Sequence, residues 1–152
     1  MALTIEFKTD LLKTCKKIIQ ERIDNASHAM NAAQEAANGE DKSSAGDKYE
    51  TSRAMGHRDR DMYARQLVEA KNEWQKLDKI NLEPSAIIKA GSLIEANETY
   101  YFIATGIGKV EVNGQMVMVI SKESPIANLM LNKKINDMFS FNNKLWKISG
   151  LI

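Results

Sequence analysis

The sequence predicts an α+β protein: an N-terminal antiparallel coiled-coil helical hairpin followed by a small antiparallel β-sheet domain with one short helix. Three observations predict it. Before Pro84 there is no proline, the only glycines are Gly39, Gly46 and Gly56, and the chain is rich in residues that cost little in a helix. After Pro84, β-branched and aromatic residues gather in short runs separated by Asn and Gly. A polar stretch, 38–47, divides the first half. The expected domains are therefore 1–82, a hairpin with its tip at about 38–47, and 83–152, the sheet.

In the first half, Leu12, Cys15, Ile19, Ile23, Ala26, Met30, Ala33 and Ala37 recur at steps of three and four. That spacing places them on one stripe of a helix from about Asp10 to Asn38. Tyr63, Leu67, Ala70, Trp74 and Leu77 make a second stripe, on a helix from about Lys48 to Leu82. The Asn, Gly, Ser and Asp residues between them supply stops, turns and caps. One narrow seam per helix suits an antiparallel pair and leaves no room for a globular core. About 30 residues rising ~1.5 Å each give an arm on the order of 45 Å. The stripe thins to alanine towards the turn, so the arm narrows distally.

In the second half, 86–90, 92–96 and 99–104 are expected strands, the first two forming one bent strand. Residues 109–120 form a hairpin, because Asn113-Gly114 supplies the positive φ angles of a two-residue type I′ turn. Ser124-Pro125 opens a short helix over 126–131, with Ser as N-cap and Pro at the first helical position. Asn132 is a left-handed stop. Residues 138–141 and 144–152 pair around Asn142-Asn143. A twisted antiparallel sheet with the helix across one face buries these runs.

Composition excludes several classes. A formal net charge of +1 gives no bulk attraction to nucleic acid or to an anionic membrane. The lone cysteine, Cys15, rules out an intramolecular disulfide and a cysteine zinc site. Charge appears too early in Met1 to Lys8 for a secretory signal, and no run of about 18 uncharged apolar residues occurs. A cytoplasmic protein without membrane contact is expected.

The usual catalytic patterns are missing. His28 and His57 lie on opposite arms with no cysteine near either, so a nucleophile with its base is not visible. Gly106-Ile107-Gly108 lacks the third glycine and following helix of a phosphate loop and reads as a bend. The tip stands apart: Glu40, Asp41 and Asp47 sit there among Lys42, Ser43, Ser44, Lys48 and Tyr49. Charge makes a soluble turn, and Asp47 can cap the second helix. The end of a long arm is also the part that reaches a buried target, where carboxylates can ligate a hard cation such as Mg²⁺ with a partner's help.

Residues 119–127, Val-Ile-Ser-Lys-Glu-Ser-Pro-Ile-Ala, followed by Leu129, Leu131, Lys133, Lys134 and Asp137, resemble the C-terminal pattern of the GreA/GreB transcription elongation factors. Asn132 stands where that pattern has glycine. In the arm, Asp47-Lys-Tyr49-Glu-Thr-Ser-Arg53 is similar to the family's acidic, Tyr-containing segment, and the parts follow in the same order along nearly the whole chain. The resemblance implies a bacterial cytoplasmic factor, expected to be a monomer, with an FKBP-like C-terminal domain at the rim of the RNA polymerase secondary channel. It implies polymerase contact through Ser124, Pro125, Ile126 and Ala127, and a hairpin reaching the active centre and, indirectly, the nascent RNA. It implies no tightly bound cofactor, with tip carboxylates, here Asp41 and Asp47, sharing Mg²⁺ with the polymerase so that it cleaves backtracked RNA. The chain would lend residues to another enzyme's site and be no enzyme itself.

The tip departs from the family pattern, an Asp followed three residues later by Glu. Anchoring on Gly39 and Lys42 matches Glu40 to the Asp but puts Ser43 at the Glu. Anchoring on Tyr49 and Arg53 puts Lys42 and Ala45 at the two acidic positions. A cleavage factor and a non-cleaving channel regulator therefore stand as alternatives. So does a coiled-coil adaptor for another partner. A prolyl isomerase is disfavoured, because Tyr100, Tyr101, Phe102, Phe139, Phe141 and Trp146 read as sheet core.

Overall fold

The computed structural model describes residues 3–39 and 46–152, with side chains described except at 39, 46–50 and 52. Two long helices come first, α1 (Ile5–Gly39) and α2 (Gly46–Asp78). Helix α1 starts earlier than its apolar stripe because Thr4 caps it: its Oγ1 accepts from the Phe7 N–H at 3.1 Å. Helix α2 stops short of Leu82. There the Asn81 side chain accepts from the Glu83 N–H at 2.8 Å, an Asx turn, and Pro84 disfavours helix in the residue before it.

By packing, the chain divides into two compact units: the chain up to Lys16 with Gln75–Ile152, and Lys17–Trp74. In the second unit the helices run antiparallel. Arg22 pairs with Glu73 at 2.9 Å, while farther along α1 Ala37 meets Gly56 so closely that a Cβ on Gly56 would lie 2.9 Å from the Ala37 Cβ. Small residues at that crossing bring the backbones together, as the thinning stripe predicted. Ala26, Ala37 and Ala70 are buried in the seam, while Ile23, Met30, Tyr63, Leu67 and Trp74 are half-buried.

In the other unit, a six-stranded sheet runs in the order β3-β4-β2-β1-β6-β5. Its strands are β1 (Leu93–Ala96), β2 (Thr99–Ala104), β3 (Gly108–Val112), β4 (Gln115–Ser121), β5 (Met138–Phe141) and β6 (Lys144–Leu151). Helix α3 (Pro125–Met130) follows β4. The hairpin turns fall where Asn supplies positive φ: Asn113 with Gly114, Asn142 with Asn143, and Asn97 with Glu98.

Two sequence expectations change. The sheet is mixed, because β2 pairs with β4 in parallel, Tyr100 opposite Val117 through Ala104 opposite Ser121. Strand β3 folds back onto the outer edge of β4, which leaves the inner edge of β4 to β2. Residues 86–90 are also no strand. Ile88 alone bonds across, to Asn132 and Lys133, while the Ser85 hydroxyl engages both backbone groups of Ile87 and Ile87 stays exposed.

The sheet buries both faces. Ile94, Ala96, Tyr101, Ile103, Phe139 and Ile148 pack with Ala127 and Met130 of α3. Alternation sends Leu93, Phe102, Val117 and Val119 to the opposite side. There the start of α1 lies close: a Cβ on Gly150 would come within 2.5 Å of the Leu3 Cδ1, and Asn113 donates to Asp10 at 3.2 Å. Phe7, Leu11 and Cys15 of α1 are buried, and Leu11 is more deeply buried than the predicted Leu12.

Candidate functional site

The segment from Ser121 to Asn132 is a turn, a capped helix and a stop, each set by local chemistry. The Ser121 hydroxyl bonds the Glu123 carboxylate and accepts from the Glu123 N–H, and Ser124 N–H closes the turn onto the Ser121 carbonyl at 3.0 Å. Ser124 then sits extended (φ −66°, ψ 151°), and its Oγ accepts from the Ala127 N–H at 3.3 Å. Pro125 occupies the first helical position, where no N–H is needed. The helix runs Pro125–Met130 and ends with Leu131 N–H bonded to the Ala127 carbonyl at 2.9 Å. The chain leaves the helix at Leu131, whose ψ is 138°, and Asn132, at φ +69°, supplies the left-handed position of the turn that Lys133 N–H closes onto the Met130 carbonyl at 3.1 Å.

These side chains divide by exposure. Ala127 is buried and holds the helix on the sheet, Ile126 packs at the core's margin, and the Ser124 hydroxyl is engaged as a cap. Pro125 is exposed, as is Leu129 four residues on, which places both on one side of the helix. The sequence reading placed Pro125 among its contact candidates and Leu129 only within the motif that follows. An exposed leucine within a named helix, four residues from Pro125, was the signal that pairs the two.

The tip residues fall largely beyond what the structure describes. Glu40, Asp41, Lys42 and Ser43 lie outside the described residues; Asp47 and Tyr49 belong to α2, without described side chains. Among the described residues, no group of three or more His, Cys, Asp or Glu side chains could hold a metal.

The remaining candidates resolve plainly. His28 and His57 are both exposed. The Cys15 thiol is buried, which pushes its pKa up to about 12. Trp146 stacks on Phe139 at 6.0 Å, meets Tyr101 and Phe141 edge-on, and donates its N–H to the Phe141 carbonyl. These aromatics pack against one another; Phe102 lies fully buried on the other face. No helix among the described residues is long and apolar enough to cross a membrane.

No family model matches the chain, and no curated protein does. Solved structures resemble it, among them the following two. One is the transcription factor Gfh1, at 11% identity and a TM-score of 0.40, covering 91% of this chain and 94% of that one. The other is GreA factor homolog 1 (Gfh1) of Thermus thermophilus, at 12% identity and a TM-score of 0.35, covering 90% of this chain and 94% of that one. At that level of superposition the likeness carries no argument for function.

Proposed function

We propose that this chain is a Gre-like transcription factor that binds RNA polymerase and modulates elongation by inserting its helical hairpin into the secondary channel. The observation that carries the proposal is the unit from Ser121 to Asn132 at the end of β4: a turn, a Ser-Pro helix start and a positive-φ Asn just past the helix end, with the GreA/GreB-like residues at those positions. Its place downstream of two long antiparallel helices supports the same reading.

Pro125 and Leu129 are the side chains we assign to the polymerase contact, since Ala127 faces the core. Any Mg²⁺ ligation in this reading rests with Asp41 and Asp47 and with ligands the polymerase supplies. Those carboxylates would help hold a second Mg²⁺ beside the polymerase's own, and the two metals would supply polarisation of the attacking and leaving oxygens.

A pull-down from a bacterial extract tests the binding: recovery of polymerase subunits is expected, and their absence favours an adaptor for another partner. Adding the purified chain to stalled, backtracked complexes tests cleavage. Shortened 3′ RNA fragments that disappear on combining Asp41→Ala and Asp47→Ala, with binding retained, identify a cleavage factor. Binding without fragments identifies a non-cleaving channel regulator.

A further inference from the structure

A cleft of about 380 Å³ opens beside the end of α2, lined by Lys76, Lys79, Lys89, Lys122 and Glu123. Ile80 and Ala104 contribute apolar lining. Every one of these residues belongs to the unit that contains the sheet. We propose that this cleft binds a polyphosphorylated nucleotide, its phosphates held by the lysine ammonium groups and its base against the apolar lining.

The walls are fixed by backbone contacts. Gly91, at φ +90°, lets the chain beyond α2 lie directly on the loop before β1; a Cβ there would stand 2.3 Å from the Asn81 carbonyl oxygen. Ser92 is buried, accepts from the Lys89 N–H at 3.0 Å through its hydroxyl, and donates its own N–H back to the Lys89 carbonyl at 3.0 Å. Gly91 N–H bonds the Ile103 carbonyl at 2.8 Å. The turn from Ser121 to Ser124 holds Lys122 and Glu123, which also line the cleft.

Charge selects the ligand class. Among the described residues, none of the four lysines forms an ion pair within 4.0 Å. The one carboxylate present, Glu123, is held below the usual range chiefly by the Ser121 hydroxyl and further by Lys76 and Lys122. The surplus is felt nearby as well, since Lys89 adds to the burial that lowers the pKa of Lys8. Four lysines sharing one cleft with apolar lining suit phosphates joined to an apolar ring. A nucleic acid backbone would call for a basic stripe along a face, and the chain as a whole carries only +1.

Calorimetric titration of the full chain with ADP, GTP and pyrophosphate at low salt tests the proposal, alongside a single-stranded RNA oligomer. Saturable one-to-one nucleotide binding is expected, tighter than for pyrophosphate and weakening as salt rises. The Lys89→Gln, Lys122→Gln double variant should lose about tenfold or more in affinity, and Glu123→Gln should gain severalfold. All three side chains are exposed, and unchanged melting temperatures verify folding of the variants. The assignment is overturned by an absence of saturable nucleotide binding, by affinity indifferent to the double variant, or by pyrophosphate binding as tightly as nucleotide. Tighter binding of the RNA oligomer, lost in the same variant, overturns it in favour of a nucleic acid surface. The polymerase pull-down reads independently of every one of these outcomes.

Discussion

The Lys8 Nζ donates to the Ile152 carbonyl oxygen at 3.1 Å, and the lysine side chain is wholly removed from solvent. Burial first, and then the charge of Lys89, lower its pKa from 10.5 to about 8. Between those two values the unfolded lysine keeps a proton that the folded one has shed. The unfolded state therefore binds more protons, and this group's contribution to stability rises with pH across the window. Below it, both states are protonated and the fold holds a buried charge. Melting temperatures from pH 7 to pH 10 should climb for the native chain relative to Lys8→Met. Parallel curves for the two proteins would exclude the effect.

Two glycines with positive φ should respond differently to alanine. At Gly91 a Cβ meets the Asn81 carbonyl oxygen at 2.3 Å as well as an unfavourable backbone angle. At Gly114, φ +78°, nothing lies within 4 Å. Urea unfolding should show Gly91→Ala costing about 3 kcal/mol, and Gly114→Ala about 1 kcal/mol from the backbone alone. Equal losses would contradict the close approach at Gly91.

Capping and the proposed partner contact separate within α3. Ser124→Ala removes the acceptor for the Ala127 N–H and should cost about 1 kcal/mol in chemical denaturation. Leu129→Asp, on the exposed side, should leave stability within about 0.5 kcal/mol while depleting polymerase in the pull-down. Retention of polymerase by the Leu129 variant would remove this helix from the proposed contact.

Cys15 should be silent to thiol reagents in the folded chain. With its pKa pushed up to about 12 by burial, the thiolate fraction at pH 8 falls on the order of a thousandfold below that of a free cysteine. Ellman's reagent should react slowly with native protein and promptly in denaturant. Fast native labelling would show that α1 opens at that point.

Local chemistry was enough to read the parts of this protein. Steps of three and four marked the helices, Asn113-Gly114 and Asn142-Asn143 marked turns, and Ser124, Pro125 and Asn132 marked a helix start and stop. Each signal works between residues a few positions apart, so the chain carries it without knowing its final neighbours. The family resemblance was legible for the same reason, because its most specific motif is one continuous segment. Residues 86–90 misled because their apolar content matched a strand, whereas Ser85 and the bonds from Ile88 to residues 132 and 133 fixed an irregular path.

Tertiary structure decided what depends on residues far apart in the chain. The parallel pairing of β2 with β4 follows from which edge of β4 is taken by β3, a competition that no local pattern encodes. Lys8 reads as a surface residue of a helix until Ile152 arrives beside it. Lys76, Lys79, Lys89 and Lys122 are unremarkable one at a time, and become a charged cleft only when the end of α2, the loop before β1 and the turn after β4 converge. Periodicity and turn chemistry specify the elements; burial and the summed field of converging charges exist only once those elements have met.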